Sequence, residues 1–121
     1  MASKAPRPTM AETAALKVCP NCGGHVERKS ARGPSPTFCS SECKRAKGNR
    51  DLARGSTIIV MAQAWRINRG SGSVSKAALQ ELCAILDRYN AEDREAGRPR
   101  ADVHAAKMLN SGYSNLDRRR A

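Results

Sequence analysis

Four cysteines in the first half of the chain are the residues whose spacing points most clearly to chemistry. They form two pairs, Cys19-x2-Cys22 and Cys39-x3-Cys43, separated by sixteen residues. Two converging pairs of thiolates give a closed tetrahedral site that suits structural zinc and leaves no coordination position for water or substrate. Iron in the same four-sulfur site and a redox dithiol are the alternatives. We therefore predict one structural Zn²⁺ ion at these cysteines and no enzymatic activity.

The local sequence explains how each pair can direct two sulfurs at one point. Pro20 fixes φ within the first pair, and Gly23 and Gly24 permit a sharp turn after it, which is typical of a zinc knuckle. The second pair has i, i+4 spacing, which places both side chains on one face of a helix. Ser40 or Ser41 suits the start of that helix. A short hairpin over residues 26–37 is expected to join the two pairs.

The stretch around the cysteines resembles a known group of zinc fingers. It contains Cys-Pro-Asn-Cys-Gly-Gly-His-Val from Cys19 and Pro-Thr-Phe-Cys-Ser-Ser-Glu-Cys-Lys from Pro36. Residues 17–46 are similar to treble-clef zinc fingers of small bacterial and phage proteins, and in particular to the zinc proteins described as DNA gyrase inhibitors. The resemblance implies a treble-clef finger with structural zinc. It also implies a DNA-handling enzyme such as gyrase as a candidate partner.

The chain is strongly basic, and its positive charge is densest around the cysteines. The formal net charge is +11, and residues 1–50 carry ten basic side chains against three acidic ones. Such an excess favours DNA, RNA or an acidic protein face as a partner. The side chains that we predict to contact phosphates lie in the hairpin and along the zinc helix. They are Arg28, Arg32, Lys44, Arg45, Lys47 and Arg50.

The rest of the chain predicts helices. Apolar residues repeat with helical periodicity in three segments, residues 57–68, 75–96 and 102–110. Gly55 is expected to end the zinc helix before the first of these segments. Trp65 is expected at the centre of the packed helices, and Cys83, which lies inside an apolar helix, is expected in the core.

These features together predict a small zinc-stabilised α+β protein, with a treble-clef zinc finger followed by a small helical bundle. The predicted organisation is a flexible basic arm, the finger, a helical region and a basic tail, over residues 1–14, 15–54, 55–112 and 113–121. No apolar run of about 18 residues and no secretory signal occurs, so a membrane span is not expected. We expect a cytoplasmic protein of a bacterium or of a phage-infected cell.

The expected function is that of an accessory or regulatory protein that binds nucleic acid, with DNA favoured, through the basic surface around the zinc helix. The first alternative is a protein-interaction module that docks on an acidic face of a DNA-handling enzyme such as gyrase, with the zinc purely structural. The second alternative is that the finger only stabilises the fold and the helical bundle carries the partner site. None of these functions uses a small-molecule substrate.

Overall fold

The computed structural model describes residues 9–14, 17–27, 36–69 and 71–110. Helices account for 73% of these residues, and they contain no strand and no sheet. The helices are α1 (Met10–Ala14), α2 (Ser41–Asn68), α3 (Gly72–Glu95) and α4 (Ala101–Asn110). None of them is both long enough and apolar enough to cross a membrane. The described part of the chain is therefore built on helix packing.

The prediction of a zinc-stabilised α+β fold with a treble-clef finger is wrong. The only β-type pairing within the described ranges is an isolated antiparallel bridge between Val18 and His25, so neither a knuckle nor a hairpin is formed there. Most of the predicted hairpin, residues 28–35, lies outside the described residues. The second cysteine pair leads directly into a helix of 28 residues. The cysteines are therefore attached to a helical scaffold and not to a small β-containing finger.

α2 is longer than the sequence predicts, because it continues through Gly48 and Gly55. The expected end at Gly55 is wrong, since the helix continues to Asn68. Gly48 and Gly55 each weaken a helix by about 1 kcal/mol relative to alanine, and packing against a neighbouring helix can outweigh that cost. The helix ends where Arg69 adopts a left-handed conformation, φ 47°, and its N–H donates to the Trp65 carbonyl at 2.8 Å.

α2 and α3 form an antiparallel hairpin, as a short connection between two helices favours. Between Ser75 and Tyr89, the α3 side chains that are buried or half-buried recur every three or four residues, which is the spacing of a coiled-coil seam. They are Ser75, Ala78, Leu82, Ile85 and Tyr89. Half-buried residues of α2 with similar spacing are Arg54, Ile58 and Met61. This single seam provides most of the packing between the two long helices.

Two residues that were expected in the core are exposed, and both expectations are wrong. Trp65 keeps 38% of its surface exposed because it lies three residues before the end of α2, at the tip of the hairpin. Cys83 is exposed because it follows the half-buried Leu82 and therefore points about 100° away from the seam. Apolar content in a helix did not identify which residues face its neighbour.

α1 and α4 pack against each other. α1 begins with a capping box: the Thr9 N–H donates to the Glu12 carboxylate at 2.7 Å, and the Glu12 N–H donates to the Thr9 hydroxyl at 3.1 Å. The segment predicted as a flexible arm, residues 1–14, thus ends in a short helix that contacts α4. Residues 1–8 lie outside the described part of the chain.

An ion-pair cluster joins α2, α3 and the segment before α4. Asp93, whose side chain is 15% exposed, accepts from Arg54 at 3.0 Å and from Arg98 at 2.8 Å. The Arg54 guanidinium also lies over the Tyr89 ring, 4.7 Å from its centroid. Burial raises the pKa of Asp93, but hydrogen bonds and charges from the two arginines outweigh burial and lower the pKa. The ionised carboxylate is therefore the stable form in the folded chain.

We expect Asp93→Asn to lower the free energy of unfolding by about 2–3 kcal/mol at neutral pH, since each arginine loses a charged acceptor in a partly buried site. The folded-state pKa of Asp93 lies below its unfolded value. Its stabilisation is therefore present above the unfolded pKa and is lost as pH falls through the folded pKa. Denaturant titrations at several pH values from neutral to about pH 3 measure this effect. The difference in free energy of unfolding between wild type and Asp93→Asn should become smaller as the pH falls.

The exposed Asp87 on the same helix provides the control. Asp87→Asn should change the free energy of unfolding by less than about 0.5 kcal/mol at every pH, as expected for a surface substitution. A difference between wild type and Asp93→Asn that stays constant down to the lowest pH would contradict the assigned role of the carboxylate charge.

Candidate metal centre

The four cysteines of the two pairs converge on one point. Their Sγ atoms all lie within 4.8 Å of one another. The Sγ atom of Cys39 is 3.5 Å from that of Cys22 and 3.5 Å from that of Cys43. Four thiolates around one zinc ion have sulfurs about 3.8 Å apart at a Zn–S distance of 2.3 Å, whereas a disulfide needs about 2.0 Å. The four cysteines can therefore hold a metal ion, as the sequence predicts.

The first pair lies in a tight turn, residues 17–27, which we call the cysteine turn. The Gly23 N–H donates to the Cys19 carbonyl at 2.9 Å, and the Cys19 N–H donates to the Gly24 carbonyl at 2.8 Å. Gly23 has a φ of +77°, a left-handed conformation that glycine adopts without strain. The Gly24 N–H donates to the Cys22 sulfur at 3.4 Å. The turn therefore orients its sulfurs through backbone geometry.

The second pair lies at the beginning of α2. Ser40 is the N-cap, and its hydroxyl accepts from the Cys43 N–H at 3.2 Å. Cys39 immediately precedes this cap, and Cys43 lies in the first turn of the helix. Hydrogen bonds from Asn21, Cys39 and Ser40 lower the pKa of Cys43, and the positive end of the helix dipole also favours the thiolate form of this side chain. Ser40, one of the two serines that the sequence indicated as a helix start, therefore also fixes the relative position of two ligands.

Two hydrogen bonds outside the cluster hold the cysteine turn against the helices, and Gly23 lies close to the connection between α3 and α4. The Asn21 side-chain oxygen accepts from Arg50 of α2 at 3.0 Å, and the Val18 carbonyl accepts from Lys107 of α4 at 3.3 Å. A Cβ atom on Gly23 would lie 3.3 Å from a carbonyl oxygen in the connection between α3 and α4. These hydrogen bonds could not be predicted from the sequence because their partners are 29 and 89 residues apart.

The cluster has a buried side and an exposed side. Cys19 is fully buried, whereas Cys22 and Cys39 are exposed. Burial raises the pKa of Cys19, but hydrogen bonds from the backbone of Cys39, Cys22 and Asn21 outweigh it, and the pKa is about 6. Hydrogen bonds with the Cys43 and Cys22 sulfurs raise the pKa of Cys39 to about 12. A bound dication would offset half of the charge of four thiolates and would displace the protons that lie between them.

Two of the six side chains predicted to contact phosphates lie outside the described residues, namely Arg28 and Arg32. Lys44 and Arg45 follow Cys43 directly in α2, and both are exposed. The only acid in the first turn of α2 is Glu42. Lys44 and Arg45 therefore form a small positively charged surface beside the metal centre.

The other two predicted side chains make contacts within the protein. The Lys47 ammonium pairs with Asp51 at 2.9 Å. Arg50 donates to Asn21, and its buried Nε atom has no hydrogen-bond partner in the described ranges. Burial and the nearby charge of Arg98 lower the pKa of Arg50. Arg50 therefore has a structural contact with the cysteine turn that its position in a basic run did not indicate.

No family model, curated protein or solved structure matches the chain. The resemblance of residues 17–46 to the gyrase-inhibitor zinc proteins therefore stays a prediction from the motif. The fold and the site define a helical protein with a four-cysteine cluster that can hold a metal ion.

Proposed function

We propose that this chain is a structural zinc protein that binds nucleic acid, with DNA favoured, through the basic surface beside its metal centre. The observation that carries the proposal is the convergence of four cysteine sulfurs within 4.8 Å. A set of four soft thiolate donors suits zinc, with iron as the alternative, and does not suit magnesium or calcium. Because four thiolates complete a tetrahedral shell, no position remains for water or substrate. We therefore assign a binding role and not an enzymatic one.

Zinc would fix the cysteine turn to the first turn of α2. The buried apolar side chains that the described part of this turn contributes are Cys19, Pro20 and Val26, which is too small a core to order it. Zinc binding in comparable small sites contributes on the order of 10 kcal/mol. The metal would thereby set the position of the exposed Lys44 and Arg45 relative to the cysteine turn.

Nucleic-acid binding is supported by charge and exposure. The chain carries a net charge of +11. Lys44 and Arg45 are exposed and follow Cys43 without an intervening acid. Contacts from such side chains to phosphates are independent of base sequence, so binding with little sequence preference is expected.

The proposal is tested by recovering the zinc-loaded chain from a bacterial lysate with and without nuclease treatment. We expect DNA fragments to be recovered with the wild-type chain, and to be depleted from a Lys44→Ala, Arg45→Ala variant with the same zinc content. The alternative is docking on an acidic protein face. It would be favoured if no nucleic acid is recovered from the untreated sample and a partner protein from the lysate remains bound after nuclease treatment. Retention on heparin is not informative, because any strongly basic protein shows it.

A further inference from the structure

Two of the four cysteines of the metal centre are open to solvent, and they belong to different pairs. Cys22 lies in the cysteine turn and Cys39 lies just before α2, and both are exposed. The other member of each pair is less accessible, since Cys43 is half-buried and Cys19 is fully buried. The Cys22 and Cys39 sulfurs are 3.5 Å apart. A small molecule in solution can therefore reach two neighbouring sulfurs without entering the fold.

The two less accessible sulfurs are held by contacts within the protein. The Cys19 sulfur accepts hydrogen bonds from three backbone N–H groups, including that of Asn21. The Cys43 sulfur accepts from the Asn21 side chain, and its own N–H donates to Ser40 in the first turn of α2. We call Cys19 and Cys43 the anchored pair, and Cys22 and Cys39 the exposed pair.

Exposed thiolates that lie beside a second thiolate are the cysteines that peroxides oxidise reversibly. Metal coordination keeps such a sulfur deprotonated. It also lowers the nucleophilicity of the sulfur, so the reaction is slower than that of a free thiolate. In a reducing compartment, a disulfide that forms in this way is transient and reports on the oxidant. The exposed pair combines the accessibility and the spacing that this chemistry needs.

We propose that Cys22 and Cys39 form a site of reversible oxidation by hydrogen peroxide, and that the disulfide between them releases the metal ion. The inference rests on the metal centre of the proposed function and does not depend on nucleic-acid binding. The Cys39 and Cys43 sulfurs are also 3.5 Å apart. Exposure favours Cys22 as the partner of Cys39, because Cys43 is half-buried at the start of a helix.

The reaction has two steps. The Cys39 thiolate attacks one oxygen of the peroxide, so that an S–O bond forms, the O–O bond breaks and hydroxide leaves. The Cys22 thiolate then attacks the sulfur of this sulfenic acid, so that the S–S bond forms, the S–O bond breaks and a second hydroxide leaves. The two sulfurs together lose two electrons, and the peroxide is reduced to two hydroxide ions that solvent protonates to water.

The disulfide changes what holds the cysteine turn to α2. Only Cys19 and Cys43 remain as ligands, and two thiolates do not complete a zinc site. The new bond joins the turn to the residue before the Ser40 N-cap, so the two segments stay linked after the metal is lost. A disulfide within either of the original pairs would leave the segments unlinked. Reduction can therefore rebuild the metal site from segments that are still close together.

Zinc release and disulfide mapping test this inference on the zinc-loaded full-length chain. The substitution Cys83→Ser is included because Cys83 is an exposed free thiol outside the metal cluster and would react with peroxide first. At early times after the addition of hydrogen peroxide, we expect one zinc ion to be released for each disulfide formed. A thiol reductant and added zinc should then restore the original zinc content.

Mass spectrometry without reduction identifies the disulfide. Trypsin cleaves the chain between Cys22 and Cys39, because basic residues lie between them. The two peptides should therefore remain linked, and fragmentation should place the bond between these two cysteines. The anchored pair should be recovered as alkylated thiols.

Two histidine variants compare the exposed pair with the anchored pair, since three cysteines and one histidine also form a zinc ligand set. Cys39→His removes a sulfur of the exposed pair and should slow zinc release by peroxide at least about tenfold. Cys43→His alters the anchored pair instead, so it should still form the Cys22–Cys39 disulfide, at a rate within about threefold. The disulfide map of the parent chain decides the inference even if neither variant holds zinc.

A first disulfide within one of the original pairs would overturn the inference. So would zinc release that is accompanied only by sulfinic acid, or a chain that keeps its zinc through prolonged exposure to peroxide. The zinc content before peroxide is added tests the proposed function separately. A chain without zinc at that stage would contradict the metal centre itself, and the inference with it.

Discussion

Replacing Cys22 with Ser should leave the purified chain without bound zinc and should release the cysteine turn from α2. The expected loss is on the order of 10 kcal/mol of metal-derived stability in this region. The contacts that remain, such as those from Arg50 to Asn21 and from Lys107 to Val18, are single hydrogen bonds. Each such bond contributes only about 1–3 kcal/mol. The remaining contacts therefore cannot replace the metal.

Elemental analysis combined with amide hydrogen exchange measures both parts of this prediction. In the Cys22→Ser variant, residues 17–27 should lose their protection, whereas the centre of α3 should keep it, because the seam with α2 does not involve the metal. Cys83→Ser is the matched control, since Cys83 lies outside the metal cluster. It should retain zinc and the wild-type exchange pattern. Full protection of the cysteine turn in a metal-free Cys22→Ser chain would show that the metal is not what orders it.

Binding to a DNA duplex should weaken steeply with salt, and a Lys44→Ala, Arg45→Ala variant should show a flatter dependence. Each phosphate contact contributes about −0.9 to the slope of log K against log salt concentration, so the loss of two contacts should flatten the slope by about 1.8. Affinity should fall by a similar factor on duplexes of different sequence, because phosphate contacts do not read bases. The zinc content should stay at that of the wild type.

A control variant distinguishes direct phosphate contact by Lys44 and Arg45 from the effect of the overall positive charge. Arg66→Ala with Arg88→Ala removes the same two charges from exposed positions on the hairpin, away from the metal centre. This variant should keep a slope close to that of the wild type, with a modest general loss of affinity from the weaker long-range field. If all three proteins show the same slope, Lys44 and Arg45 do not contact the duplex.

The convergence of the cysteines could be predicted from sequence because it depends on local geometry. Gly23 permits the turn that holds the first pair, and Ser40 fixes the helix start that holds the second. The helices after residue 70 could also be predicted, because their apolar periodicity and the Gly97–Pro99 stop are local signals.

The fold class could not be predicted, because it depends on contacts between distant residues. The finger motif implied strands, but α2 continues through Gly48 and Gly55, and its packing partner α3 is supplied by a segment far along the chain. The exposure of Cys83 could not be predicted for a similar reason. A shift of one residue along α3 decides whether a side chain lies in the seam with α2 or on the surface. Arg50 also lies in a basic run, yet it contacts Asn21, 29 residues earlier.

The most direct test of the central claim is the metal content and thiol reactivity of the wild-type chain, purified under reducing conditions. Elemental analysis should give one zinc ion per chain, and it distinguishes zinc from iron. With the metal bound, one of the five thiols, Cys83, should react readily, and the other four should react only after a chelator is added. A well-folded chain with no metal and with all five thiols equally reactive would contradict the claim that the four-cysteine cluster is a structural metal centre.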